Sequence, residues 1–139
     1  MIAYLNASVL VALFTNDALT ARADAYLRTH TPIVLVSDFA AAEFASAIST
    51  RVRMAELTSA EAQTVFSNFD AWTARAAQRI ETGAADVKAA EAFLRRLDLT
   101  LRTPDALNIA IAERAAATLV TFDEKMAACA RALGVAVAG

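Results

Sequence analysis

The chain has 139 residues, 58% of them hydrophobic, which is the size of one ordinary domain and enough apolar material for a core without staples. A net charge of −2 excludes a protein that coats nucleic acid through bulk positive charge, although eleven of its thirteen basic residues are arginine, which suits local, planar grip on phosphate or carboxylate. A single cysteine, Cys129, cannot form an internal disulfide and fits a reducing, cytoplasmic setting.

In chain order, Ile2-Ala3-Tyr4-Leu5 is a short apolar run ending at Asn6-Ala7-Ser8, the pattern of a buried strand that stops at a helix cap. The helix that follows should reach about Leu13. Its apolar stretch Val9 to Phe14 is too short for a membrane span, and no basic region precedes it, so neither a cleavable signal nor a membrane segment is expected. A helix over Thr20 to Thr29 should end at the His30-Thr31-Pro32 turn, and Ile33 to Val36, apolar on both faces, reads as a parallel strand. Phe39 to Ser49 is alanine-rich and reads as a nearly all-buried helix interrupted by one acid, Glu43.

Thr58-Ser59-Ala60-Glu61 has the form of a capping box, opening a helix that should carry Val65, Phe66, Phe69 and Trp72 inward. Gln78 to Thr82 suggests a short strand. Ala84 to Arg96 suggests a helix whose buried stripe is Val87, Ala90, Phe93, Leu94 and Leu97. Thr103-Pro104-Asp105 reads as cap, first-turn proline and first-turn acid of a helix through Ala116. Ala117 to Phe122 should be a strand, Asp123 the cap of a helix to Leu133, Gly134 its stop and Val135-Ala136-Val137 a last strand. Strands alternating with helices predict one α/β domain over residues 1–139, three layers (α/β/α) around a mostly parallel sheet.

Four oxygen-bearing side chains share a geometric logic in that plan. Asn6 and Asp123 lie just past the carboxyl ends of two strands, where open α/β sheets bind ligands. Asp105 sits in the first turn of a helix, and Glu43 projects from an apolar one. If the four converge they form an oxygen-rich pocket suited to a hard divalent cation. Taken singly, Asn6, Asp105 and Asp123 are also ordinary helix-start residues, and Glu43 could be half of a salt bridge to an arginine.

The segments Tyr4-Leu5-Asn6-Ala7-Ser8-Val9-Leu10-Val11-Ala12, Ser37-Asp38-Phe39-Ala40-Ala41-Ala42-Glu43, Thr103-Pro104-Asp105-Ala106-Leu107-Asn108-Ile109-Ala110 and Leu119-Val120-Thr121-Phe122-Asp123 resemble, in order and along the whole chain, the motifs of PIN-domain ribonucleases, specifically the VapC toxins of bacterial toxin–antitoxin pairs. The resemblance implies a PIN-like fold, a site of four acids holding one or two Mg²⁺ or Mn²⁺ ions, and hydrolysis of RNA phosphodiesters. By that match Glu43, Asp105 and Asp123 are three of the catalytic, metal-binding acids, Asn6 occupies the place of the first, and Ser8 and Thr121 are supporting hydroxyls. It also implies an antitoxin partner, expected to place an arginine near the acids, and a homodimer, for which Phe66, Phe69 and Trp72 offer apolar surface.

Asn6 departs from the pattern. An amide oxygen can ligate a metal, but it brings no charge and its NH₂ is a donor where an acceptor is needed. Natural decay of the site or a deliberate Asp-to-Asn change would each leave this residue, and both imply weakened catalysis. The alternative from another class is a non-catalytic PIN-like protein that binds RNA or a partner. A phosphoryl-transfer or receiver domain fits poorly, since neither Lys88 nor Lys125 follows a strand. Three glycines spell no phosphate loop, and His30 and Cys129 are too isolated for zinc or nucleophilic chemistry.

Overall fold

Ala3, Tyr4 and Leu5 are wholly buried on both faces of one strand, which requires neighbours along both edges and helices above and below. The computed structural model, which describes residues 1–139, supplies both. Five parallel strands, β1 (Ile2–Leu5), β2 (Ile33–Ser37), β3 (Ala77–Ile80), β4 (Thr118–Val120) and β5 (Val137–Ala138), lie in the order β3-β2-β1-β4-β5. β1 is central, with Tyr4 opposite Leu35 on one side and Leu119 on the other. Seven helices connect them: α1 (Ala7–Phe14), α2 (Thr20–His30), α3 (Asp38–Arg53), α4 (Ser59–Ala76), α5 (Ala84–Arg95), α6 (Thr103–Arg114) and α7 (Glu124–Ala132). The result is the expected three-layer α/β/α fold. No helix is long and apolar enough to cross a membrane.

Three strands differ from their expected bounds because specific side chains intercept the backbone. β4 stops at Val120, since the Phe122 N–H donates to Ser8 Oγ and the Asp123 N–H to Thr121 Oγ1 in place of a ladder partner. β3 spans Ala77–Ile80 rather than Gln78 to Thr82, because the Thr82 N–H and hydroxyl both turn to the Asp38 carboxylate. β5 begins at Val137 because the Val135 N–H still serves the end of α7, bonding Ala130 O. Gly134, at φ +82°, stops α7 as expected, in a left-handed conformation that costs glycine little.

Helix faces were harder to assign than helix positions. α3 is not nearly all buried: Ala40, Phe44 and Ile48 form its inner stripe, while Ala42 and Ala45 face solvent. The Thr58–Glu61 capping box forms as expected, and α4 buries Val65 and Phe69. Phe66 and Trp72 are half-buried and engaged within the chain. Phe14 contacts Phe69 and Trp72 edge-on at 5.5 and 5.4 Å, while Phe44 meets Phe66 and Phe69 at 6.2 and 4.6 Å. These contacts tie α1, α3 and α4 together.

The inner stripe of α5 is rotated from the expected one. Val87 is 56% exposed and Leu97 89% exposed, whereas Asp86 is 1% exposed. Leu97 lies past the end of α5 at φ +66°, so the helical register no longer applies to it. Asp86 is buried because it is fully used. Arg114 Nε and Nη2 donate to its two carboxylate oxygens at 2.7 and 2.9 Å, and the Gly83 N–H donates to Oδ2 at 2.8 Å. Arg114 also reaches the Glu81 carbonyl, so one guanidinium clamps α5, α6 and the end of β3.

Arg114 pairing, ahead of the Gly83 hydrogen bond, holds the Asp86 carboxyl below the usual carboxylate range. A carboxylate with a lowered folded value contributes stability that is complete above its unfolded value of about 3.9 and lost as pH falls through the folded value. Arg114→Ala strands the buried Asp86 charge. It should cost about 2–3 kcal/mol, less than a fully buried pair because Arg114 is half in water, and should flatten the acid limb of a urea-melt stability profile.

Candidate functional site

After β1 the chain fills one side of the sheet with β2 and β3, then crosses to the other side for β4 and β5. The carboxyl ends of β1 and β4 therefore flank a topological switch point, the crevice where such sheets bind ligands. Asn6 ends β1 there, and Thr121 to Asp123 end β4. The two ends are joined by the Asn6 N–H to Val120 O bond, 3.0 Å.

Asn6 is 5% exposed and caps α1, its Oδ1 accepting from the Ser8 N–H at 3.0 Å and, more loosely, from Thr121 Oγ1 at 3.4 Å. Ser8 Oγ accepts from the Phe122 N–H at 3.2 Å, and Thr121 Oγ1 accepts from the Asp123 N–H at 3.1 Å. Both hydroxyls thus fix the turn that carries Asp123. Asp123 in turn caps α7 through Oδ1 to the Met126 N–H. The two residues at the strand ends are genuine helix caps, as well as candidate site residues.

Glu43 and Asp105 form the other half. The cap of α6 is Arg102, not Thr103: Asp105, in the first turn, accepts from the Arg102 N–H at 3.3 Å, and Arg102 Nε stands 3.6 Å from the same oxygen. Glu43 has no arginine in ion-pair range. Its Oε1 accepts from Asn108 Nδ2 at 2.7 Å, and that amide also donates to the Pro104 carbonyl. Asn108 is fully buried and accepts through Oδ1 from the Tyr4 hydroxyl at 2.5 Å, while the phenol also meets Ser37 Oγ at 2.7 Å. Burial raises the Glu43 carboxyl above the ordinary glutamate range, and the nearby Asp105 charge adds to this. The Asn108 bond and the Arg102 charge oppose it.

The expected site residues therefore come together as two pairs, Asn6 with Asp123 through Thr121, and Glu43 with Asp105. No three His, Cys, Asp or Glu side chains gather closely enough to hold a metal ion. The donors are of the type a hard cation takes, but at position 6 an uncharged amide stands where a further carboxylate would complete the set. The residues present do not fit a resident divalent cation.

Sequence reading missed Asn108, Tyr4 and Ser37, which hold Glu43 in place. The signal for Asn108 was available: it lies between Leu107 and Ile109 in an otherwise apolar run, the same anomaly that singled out Glu43. A cavity of about 380 Å³ beside Asp123 was also missed; its lining includes Arg22, Phe122, Glu124 and Arg131.

The PIN domain family model matches residues 3–132. Among solved structures, the chain is similar to VapC20 of Mycobacterium tuberculosis, a sarcin–ricin loop cleaving toxin, at 18% identity and a TM-score of 0.72, covering 91% of this chain and 93% of that one. It is similar to FitAcB of Neisseria gonorrhoeae at 18% identity and a TM-score of 0.71, covering 100% and 97%. VapBC2 of Rickettsia felis, bound to a DNA fragment from its promoter, aligns at 18% identity with a TM-score of 0.70, covering 99% and 98%. Curated protein sequences give no significant match.

A raised folded value for Glu43 means that its proton is held more tightly in the folded chain than in the unfolded one. Its contribution is favourable in acid and is lost as pH climbs from the ordinary glutamate value of about 4.3 through the raised one. Glu43→Gln keeps an acceptor for Asn108 and removes the buried charge. Melting curves should show the variant more stable than the parent above that window and equal to it below; a variant less stable at neutral pH would contradict the assignment.

Proposed function

The chain belongs to the PIN domain family, and from that premise we propose that it is the toxin endoribonuclease of a toxin–antitoxin pair, with an active site weakened by Asn6. The observation that carries this reading is the position of Asn6. It ends the central strand at the switch crevice and accepts from the Thr121 hydroxyl, which itself accepts from the Asp123 N–H; by the resemblance it stands in the place of the first of four metal-binding acids. The activity such a site is built for is hydrolysis of RNA phosphodiesters with Mg²⁺ or Mn²⁺. The proposed catalytic set is Asn6, Glu43, Asp105 and Asp123, with Ser8 and Thr121 in support.

This chain's own residues do three things toward that activity. Ser8 and Thr121 fix the turn that aims Asp123. Asn108, held by Tyr4, orients Glu43 and shares one of its oxygens. Arg102 lies against Asp105 from solvent, partly offsetting a charge that would repel an incoming phosphate. The same clustered acids would accept an arginine fork from an antitoxin. The similar solved structures include a toxin–antitoxin complex, which supports an antitoxin partner. A cytoplasmic place follows from the role.

Asn6→Asp keeps the cap, since Asp and Asn serve α1 equally, and adds the missing charge. The variant should bind Mn²⁺ by calorimetry where the parent does not, cut total cellular RNA at least about a hundredfold faster, equivalent to about 2.7 kcal/mol of barrier, stop with EDTA, and arrest a host lacking the antitoxin. A folded, metal-saturated variant that left RNA intact and the host unharmed would favour the second reading, a non-catalytic PIN-like protein that binds RNA or a partner. The lack of any three-acid cluster in the present chain is the observation on that side.

We further propose a homodimer. Because Phe14 and Phe44 already engage Phe66, Phe69 and Trp72, the buried area would come from the outer edges of those rings and neighbouring helix faces. Light scattering at micromolar concentration should give twice the chain mass, and a monomer across a wide concentration range would contradict it.

A further inference from the structure

Arg22, on α2, lays its guanidinium over the ring of Phe122 at 4.7 Å from the centroid. The backbone that carries Phe122 is anchored, its N–H held by Ser8 Oγ and the following N–H by Thr121 Oγ1. The two side chains make a two-layer platform on that anchored backbone, its outer layer, the exposed Arg22, planar and charged. The platform forms part of the wall of the 380 Å³ cavity, with Arg131 of α7 on the same lining and Asp123 at its margin.

We propose that this cavity is the subsite for an unpaired nucleotide flanking the scissile phosphodiester, its base stacked on the Arg22–Phe122 platform and its phosphate held by Arg131. This rests on the ribonuclease reading and adds to it the residues that select the substrate's conformation. Three features point to single-stranded nucleic acid rather than to an acidic peptide. The platform offers a flat π-face flanked by charge, which is how proteins take a splayed-out base. Arg131 supplies a separate phosphate contact in the same cavity. Asp123 and Glu124 also line the cavity, so a polyanion without bases would meet repulsion that stacking does not offset. A base locked in a helix cannot reach such a platform, so the preference is for loops and single strands.

The test uses the chain as it stands, which should leave its probe intact, in EDTA. Anisotropy of a short fluorescein-labelled single-stranded RNA reports affinity across a salt series. Arg22→Ala should weaken binding about tenfold, the scale of one lost base stack of about 1.4 kcal/mol. Arg22→Lys, which keeps the charge and loses the plane, should weaken it nearly as much with little change in salt dependence. Arg131→Ala should weaken binding and reduce the salt slope by about one ion. Arg95→Ala, on α5 and outside the cavity, should bind as the parent does. A duplex of the same sequence should bind more weakly than the single strand and ignore Arg22. If the parent binds RNA and both cavity variants match it, the subsite is wrong and the ribonuclease reading stands. Full rescue by Arg22→Lys overturns the stacking role. No binding of RNA by the parent, or equal binding of oligoglutamate, overturns the subsite and the RNA-directed function together.

Discussion

A phenol with no access to water must find hydrogen-bond partners inside the protein, and Tyr4 does so by joining three elements that are far apart in sequence. Its hydroxyl lies between Ser37, where β2 becomes α3, and Asn108 in the middle of α6. Burial keeps that hydroxyl protonated, with a pKa well above the ordinary phenol range, so it remains a donor under all physiological conditions. Asn108 passes the constraint to Glu43. The position of one site carboxylate is thereby set by the central strand, through groups whose removal would strand several buried polar atoms at once.

The other half of the candidate site is built differently, from residues that cap helices. Asn6, Asp105 and Asp123 each satisfy backbone N–H groups at the start of a helix. Helix starts at the carboxyl ends of parallel strands point positive dipole ends and short acidic side chains into one crevice. The structural account of these residues and the functional one are therefore not rivals. A capping role explains why an amide is tolerated at position 6 without disturbing the fold.

Much of the architecture was legible because it is local. The β1 and β2 runs, the Thr58–Glu61 box, the Gly134 stop and the Asp123 cap all declare themselves within a few residues, and all are present. Several of the misreadings come from side chains that take partners far along the chain. Asp86 belongs to the inner face of α5 only because Arg114 is there to neutralise it, so an apolar count placed that face one residue away. The strand ends after Val120 and Ile80 are set by Ser8 and Asp38, which strand propensity does not register. Asn108 stands out locally in its apolar run, but its partners Tyr4 and Glu43 and the Arg22–Phe122 contact depend on the packing of whole elements, of which local periodicity carries no trace.

The strand order has a consequence for the timing of synthesis. β1 leaves the ribosome first, yet one of its two edges must wait for β4, and Asn6 meets Thr121 across a separation of 115 residues. Pairings so distant along the chain form late, after the entropy of closing the intervening loop has been overcome. β1, β2 and β3, with α1, α3 and α4, can assemble while the remainder is still being translated, exposing an unpaired β1 edge but no crevice. The crevice, divided in this way between β1 and β4, does not exist until residue 123 has emerged and docked.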